Sequence, residues 1–384
     1  MVTPTVVSAQ LLSWALWVLV WAAVLLLATV LGSRAGRQWR ERRDAKLLGE
    51  LRPAMLEVAS GEDDDASALR RLTAVPRRRV PVVDRAVSAM LSKVRGEPAR
   101  ALARVLEAHG RAQWALAGLS SHSAVRRAHA AWTLGLMRAR ESAPRLVPLL
   151  QDRSADVVVA AARALALLGD GSAARAVLRA VAPRRRPRGL PSWVAVESLC
   201  AFDDDAAPVI AEATLHPDPA VRHVAATVIG VRPVPGAAPV VRDRLAQETD
   251  PRALAAFVDA LGWVGGAQDL AVLSEFARHR DESVALAAVE SLERLGLPAS
   301  VAALAPLVED TRPRLAERAA VALTELGPAG RERLLGALDG ETPRRAPRPL
   351  RAAAERHERG RPWSGLSCCA APWPGSWRSS RCRC

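Results

Sequence analysis

The stretch HPDPAVRHVAATVIG, residues 216–230, contains the signals of one complete helix. Asp218 stands ahead of the first turn, where a carboxylate can accept the free backbone N–H groups and meets the positive end of the helix. Apolar residues and alanines then recur at helical spacing, and small side chains let neighbouring helices approach closely. Ile229 is the last strongly apolar residue before Gly230. The stretch predicts an Ala-rich helix that packs against others like it.

The same pattern recurs from about residue 121 onward: a polar turn, an Ala-rich helix with one large apolar rung, and a second helix. The rungs are spaced by 31, 34, 30, 32, 31 and 31 residues, and they are Leu134, Leu165, Leu199, Ile229, Leu261, Leu292 and Leu323. Chance does not keep such a register over about 190 residues, so the period indicates stacked helical hairpins. The predicted fold is all-α, an α-solenoid of about seven hairpins.

The residues between these helices have the chemistry of helix ends. Aspartates in the inter-repeat turns are predicted to cap the following helices, and they are Asp152, Asp218, Asp250, Asp281 and Asp310. Glycines after three of the first helices are predicted left-handed C-caps, and prolines open three second helices: Gly169, Gly296, Gly327, Pro144, Pro208 and Pro239.

This repeat pattern resembles the HEAT-repeat family, in the short subtype of about 31 residues that also occurs in phycobilin lyases and deoxyhypusine hydroxylase. Residues 216–230 are close to its consensus, and the resemblance covers about 121–340. It implies a curved rod with an extended surface that binds a protein partner. Related anchored HEAT proteins of high-GC bacteria imply a membrane glycosyltransferase as one such partner.

Enzyme motifs do not accompany the repeats. Deoxyhypusine hydroxylase-like proteins hold iron with His-Glu pairs on the repeats, whereas the one His-Glu pair here is His357-Glu358, beyond them. The sequence has no GxxxxGK[ST], HExxH or GxSxG motif. We therefore expect a scaffold without catalytic residues, cofactor or metal, and a phycobilin-lyase-like HEAT enzyme is kept as an alternative.

An apolar run without charge extends from about residue 6 to residue 31 and is followed by a basic segment, Arg34–Lys46. Its length favours an uncleaved transmembrane helix over a signal peptide. The basic residues after it predict a single-pass cell-membrane protein with its N-terminus outside and its solenoid in the cytoplasm. They also predict contact with anionic lipid headgroups. Trp14, Trp17 and Trp21 share one helix face, which predicts packing against another membrane helix.

The net charge of +14 is unevenly distributed. Residues 343–384 contain ten Arg and two Glu, a net charge of +8, and the basic segment after the apolar run supplies +4 of the remaining +6, so the solenoid is near neutral. This disfavours nucleic acid as a partner. Phosphate-backbone binding through the Arg-rich loops 76–81 and 183–189 remains the alternative.

The predicted organisation has five parts. They are a transmembrane anchor (1–32), a basic juxtamembrane segment (33–46), a divergent helical cap (47–120), the HEAT solenoid (121–340) and an Arg/Cys/Trp tail (341–384). The tail has the composition of a disordered segment, and a shifted reading frame of GC-rich DNA would produce the same composition. Cys200 lies within a predicted helix and is expected in the core.

Partner contacts are predicted on the second helices and loops. The residues are chosen by helix face and charge, and they are Arg145, Arg175, Arg179, Glu212, Arg242, Arg244, Glu275, Arg278 and Glu309.

Overall fold

A computed structural model describes residues 14, 17–29, 31–32, 34, 48–63, 65–182, 189–233 and 236–339. Within these ranges the secondary structure is helical, with no β-strand. The chain divides into two compact units, residues 1–111 and 112–384. The structure thus confirms the all-α prediction, and the predicted boundaries within the chain stay predictions.

The first unit contains four helices beyond residue 50: α1 (Arg52–Ser60), α2 (Ser67–Thr73), α3 (Val80–Leu91) and α4 (Glu97–Ala108). A buried polar contact ties them together. His109 Nδ1 lies 2.6 Å from Asp84 Oδ1 on α3, and its Nε2 lies 3.2 Å from the carbonyl oxygen of Leu72 on α2. Both side chains are almost fully buried, so both ring nitrogens of His109 are engaged inside the unit.

The second unit is a row of helical hairpins that follows α5 (Arg111–Gly118). Its first helices are α6 (Ala124–Leu136), α8 (Ala155–Leu168), α10 (Ser192–Ala201), α12 (Pro219–Val231), α14 (Pro251–Val264), α16 (Glu282–Leu295) and α18 (Pro313–Glu325). Its second helices are α7 (Ala143–Leu146), α9 (Ala174–Val181), α11 (Ala207–Ala213), α13 (Ala238–Leu245), α15 (Leu270–Phe276), α17 (Pro298–Leu304) and α19 (Pro328–Asp339).

The seven predicted rungs form the spine of this row. Each lies on a first helix, and none is more than 2% exposed. Consecutive first helices pack against each other from α6 through α18, because their facing sides carry alanine and glycine. The predicted period therefore matches the observed stacking of hairpins.

Glycines set the closest of these helix contacts. A Cβ atom added to Gly135 would lie 2.6 Å from the Ala164 Cα atom of the next first helix. A Cβ atom on Gly262 would likewise lie 2.6 Å from the Cβ atom of Ser291. Both glycines directly follow a rung, so the small residue is required by the approach of the next repeat.

The inter-repeat aspartates act in two ways. Asp218, Asp250 and Asp281 are N-caps whose carboxylates accept backbone N–H groups of the first turn, as predicted. Asp152 and Asp310 instead stand two residues ahead of their N-caps. Each accepts the N–H of that residue and also binds an arginine, so these two brace the turn rather than cap the helix.

An arginine clamp recurs in the first and fourth repeats. Arg222 donates two side-chain hydrogen bonds to Glu248, at 2.6 and 2.7 Å, and two more to the carbonyl oxygens of His216 and Pro217. Arg127 makes the same set of contacts to Asp152 and to the turn before its own helix. Each clamp therefore links the turn before a first helix to the next inter-repeat turn.

The predicted membrane topology is wrong. In the part of the chain that the structure describes, no helix is both long and apolar enough to cross a bilayer. Most of the predicted anchor 1–32 and of Arg34–Lys46 lies outside the described residues, as does the tail 341–384.

Cys200 gives a prediction about reactivity. Burial raises the pKa of its thiol to about 11, against a smaller opposing effect of Arg232. In a chain whose four tail cysteines are replaced by serine, we expect Cys200 to resist a thiol-specific reagent at pH 8, because the reactive thiolate is scarce. Denaturant should restore full reactivity within the same assay. Rapid labelling of the native chain would contradict the partly buried position of Cys200.

Candidate protein-binding surface

Two half-exposed tryptophans stand out on the first helices. Trp193 begins α10 and is 54% exposed, and Trp263 near the end of α14 is 51% exposed. Trp193 lies six residues before the rung Leu199, whereas Trp263 lies two residues after Leu261. Large aromatic side chains are mostly buried in folded proteins. Two indoles that are about half exposed therefore mark the side of these helices that carries them as a candidate binding surface.

Each tryptophan is held by an arginine from a neighbouring repeat. The guanidinium carbon of Arg163 lies 5.1 Å from the ring centre of Trp193, and that of Arg294 lies 4.3 Å from Trp263. Both distances allow cation–π attraction. Arg294 donates a hydrogen bond of 3.0 Å to Asp259, and Arg163 Nε lies 3.5 Å from a carboxylate oxygen of Glu197, within ion-pair distance.

The repeat between them adds an uncharged surface. A Cβ atom on Gly230 would lie 3.4 Å from Trp263 Cδ1, so this indole covers the end of α12. The next residue, Val231, is 64% exposed at the position equivalent to Trp263. We call the set Arg163, Trp193, Val231, Trp263 and Arg294 the tryptophan face; its two arginines are partly buried.

The predicted contact residues on the second helices form a different surface. Arg175 on α9 and Glu212 on α11 bind each other through two hydrogen bonds of 3.0 and 2.7 Å. The hydrogen bond from Arg175 holds the pKa of the Glu212 carboxyl below its usual value. Both side chains are exposed, so this pair joins adjacent repeats at the surface.

Arg242 and Arg244 on α13 are also engaged within the chain. Arg242 donates to both carboxylate oxygens of Asp269, at 2.5 and 3.1 Å. Burial raises the pKa of Asp269, but the hydrogen bonds from Arg242 and from the backbone N–H of Gly266 outweigh it and leave the pKa lowered. Arg244 donates to the side chain of Gln247. Arg242 therefore braces the fold, which reduces its availability to a partner.

The remaining predicted residues are spread along the second helices. Arg278 donates to the carbonyl oxygen of Ser274 at 3.2 Å. The others are exposed on or beside second helices, and they are Arg145, Arg179, Glu275 and Glu309. Of the nine predicted residues, the structure joins Arg175 and Glu212 directly, and the predicted contact role of all nine stays a prediction.

A cleft of about 450 Å³ lies between the ends of α16 and α18. Its charged lining includes Glu290, Glu293 and Arg318, and Arg318 pairs with both glutamates. Among the described residues, no group of three or more His, Cys, Asp or Glu side chains is placed to hold a metal ion. The cleft is thus lined mainly by charged side chains of the last two repeats, three of which pair with one another.

Comparison with known proteins identifies the repeat type. Residues 112–200 and 206–285 match the family model for HEAT repeats, so the chain contains a HEAT-repeat domain. HEAT repeats generally mediate protein–protein interactions. This confirms the HEAT resemblance and gives no support for membrane anchoring or for a high-GC bacterial origin. No curated protein matches the sequence significantly.

Three solved structures resemble the chain at low identity. The complex of CpcE and CpcF of phycocyanin lyase from Nostoc sp. PCC7120 is 20% identical over 60% of this chain and 94% of that chain, with a TM-score of 0.32. Human deoxyhypusine hydroxylase in complex with glycerol is 21% identical over 81% and 99%, with a TM-score of 0.28. An engineered protein is 18% identical over 83% and 97%, with a TM-score of 0.35. These similarities assign no activity.

Sequence reasoning missed the tryptophan face, although a usable signal was present. When the repeats are aligned on their rungs, Trp193 takes the place of Val159 and His223, and Trp263 takes the place of Leu167 and Val231. A tryptophan at a position where other repeats have smaller residues indicates that the surface of this repeat differs from that of the others. The selection by helix face and charge led to the second helices and loops instead.

Proposed function

We propose that the chain is a non-catalytic scaffold whose HEAT repeats bind a protein partner through the tryptophan face. The observation that carries this proposal is the pair of half-exposed indoles, Trp193 and Trp263, each held by an arginine of an adjacent repeat. Tryptophan and arginine are enriched among the residues that dominate binding energy at protein interfaces. The two tryptophan–arginine pairs therefore have the side-chain types that anchor protein–protein interfaces.

Rigid anchors favour tight binding. A flexible aromatic side chain loses rotamer freedom when a partner orders it, and this loss subtracts from affinity. Here Arg163 lies over the Trp193 indole, and Arg294 and the end of α12 lie against the Trp263 indole, so both rings are already restricted. We therefore expect Trp193 and Trp263 to contribute more to binding than their exposed area alone would give.

The charge of the face favours a protein over a phosphate backbone. Its two arginines have carboxylate neighbours, Glu197 and Asp259, so the face carries little net charge. Binding to nucleic acid depends on uncompensated cations that displace counterions from phosphates. A partner that offers apolar side chains, with polar groups at the rim, matches this surface better. The identity of that partner, including the membrane glycosyltransferase named from the sequence, stays a prediction.

The test is capture followed by titration. Tagged full-length chain should bring down a partner at stoichiometric yield, which is then purified and titrated against variants. We expect Trp193→Ala and Trp263→Ala each to weaken binding about 30-fold or more, as for interface residues worth at least about 2 kcal/mol. Trp114→Ala, which removes a partly exposed indole outside the face, should change affinity less than twofold.

Two results would overturn the proposal. One is unchanged affinity in both tryptophan variants together with loss of binding on charge reversal of Arg145 and Arg179, which would place the partner on the second helices. The other is substrate turnover by the purified chain, which would make it an enzyme.

A further inference from the structure

The cleft between α16 and α18 is continuous with the tryptophan face. The residues two positions after the last four rungs lie on α12, α14, α16 and α18, and they are Val231, Trp263, Arg294 and Glu325. The indole of Trp263 covers the end of α12 and lies against Arg294. Arg294 and Glu325 both line the cleft. A protein segment that contacts Trp263 therefore lies beside the opening of the cleft.

The charged lining of the cleft has an excess of negative charge. It contains three glutamates and two arginines, and they are Glu290, Glu293, Glu325, Arg294 and Arg318. Asp259 compensates the charge of Arg294, which leaves Arg318 against the three glutamates. Complementary charge fixes register and excludes wrong partners at protein interfaces. The group that complements this lining is a cation.

Two of the carboxylates are held in place, and the third is available. Arg318 Nε lies 3.2 Å from Glu290 Oε1, and Arg318 Nη2 lies 2.5 Å from Glu293 Oε2. Each contact uses one oxygen of a carboxylate, whose other oxygen can still accept a hydrogen bond. Glu325 is exposed and has no ion-pair partner among the described residues. The cleft volume of about 450 Å³ lies in the range of ligand sites and admits one long side chain.

We propose that this cleft receives a lysine or arginine side chain of the protein that binds the tryptophan face; the inference rests on the proposed function. Packed helices lie about 8–10 Å apart, so the cleft lies roughly 14 Å from Trp263, one and a half helix spacings away. An extended chain covers this distance in about four residues. The partner segment therefore carries an apolar residue for Trp263 and a basic residue about four positions from it.

The cation n-butylguanidinium, which has the charged end of an arginine side chain, tests the cleft without the partner. It is titrated into the ¹⁵N-labelled full-length chain. The reporters are the backbone amides of Gly296 and Gly327, which both line the cleft. We expect saturable shifts of both amides, and shifts at least fivefold smaller with valeramide, a neutral probe of similar length. Shifts that do not saturate, or equal shifts with the two probes, would overturn the proposal.

Charge reversal at the unpaired glutamate tests the electrostatic part. Glu325→Lys should weaken n-butylguanidinium binding at least tenfold, because it changes the charge by two units at a distance of about 5 Å. It breaks no ion pair between described residues. Glu141→Lys is the matched control, since Glu141 is also exposed but lies between α6 and α7 in the first repeat. It should leave the affinity within twofold, and equal losses in the two variants would show that only the overall charge matters.

Titration of the purified partner separates this inference from the proposed function. We expect Glu325→Lys to weaken partner binding at least fivefold, and Trp193→Ala to weaken it while leaving n-butylguanidinium binding within twofold. If the tryptophan variants weaken partner binding and Glu325→Lys does not, the proposed function stands and the inference about the cleft is wrong. If the tryptophan variants leave partner binding unchanged, the proposed function is wrong and the basic side chain in the cleft falls with it.

Discussion

Gly135→Ala should destabilise the solenoid by about 2–3 kcal/mol, even though alanine is the better helix former. The new methyl group would lie 2.6 Å from the Ala164 Cα atom and 2.9 Å from its Cβ atom. Because the closest obstacle is backbone, α6 and α8 have to move apart, which loosens the packing around Leu134 and Leu165. Urea denaturation followed by circular dichroism measures the loss.

Gly336→Ala is the matched control. Gly336 also lies within a helix, but among the described residues no atom beyond its chain neighbours and its own helix backbone lies within 4 Å of a Cβ atom placed there. Alanine should therefore stabilise the chain by about 0.5–1 kcal/mol through its helix propensity. Equal effects of the two substitutions, or a gain at Gly135, would show that first helices are not in close contact at this position.

Arg222→Ala should cost about 3–5 kcal/mol, because it leaves the Glu248 carboxylate buried without its counter-ion. The Glu248 side chain is only 2% exposed. Thermal unfolding should show the loss as a marked fall in midpoint. Arg175→Ala is the control, since its partner Glu212 is exposed to solvent, and we expect no measurable change.

The loss of stability caused by Arg222→Ala should depend on pH. Burial raises the pKa of Glu248, but hydrogen bonds from Arg222 and from the backbone N–H groups of Asp250 and Thr249 leave it below the ordinary 4.5 in the native chain. Its contribution to stability is therefore present above that pH and is lost on acidification. Without Arg222, burial has the larger effect and raises the pKa of Glu248. The difference between variant and native chain should thus be largest at pH 7 and shrink toward pH 4, and a constant difference would contradict the clamp.

The repeat architecture was readable from the sequence because it depends on local chemistry. A rung every 30–34 residues identifies the first helices, and all seven rungs are buried in the structure. Asp218, Asp250 and Asp281 cap helices because the capping group lies within three residues of the N–H that it accepts. Such signals involve residues that are close together in the sequence, so they can be recognised without knowledge of the tertiary structure.

The contacts between repeats could not be read in this way. Arg175 meets Glu212 across 37 residues and Arg222 meets Glu248 across 26, so no fixed spacing pairs them. The partner depends on the rotation of each hairpin against the next. For the same reason, the sequence showed Trp193 as one more apolar helix residue, whereas its exposure is set by the neighbouring helix.

The most direct measurement of the central claim is hydrogen–deuterium exchange of the full-length chain with and without its captured partner. Our account predicts that slowed exchange is concentrated on α10 and α14, around Trp193 and Trp263, and on the end of α12 between them. Slowed exchange confined to the second helices α7, α9 and α13, or no change anywhere in the HEAT-repeat domain, would contradict binding through the tryptophan face.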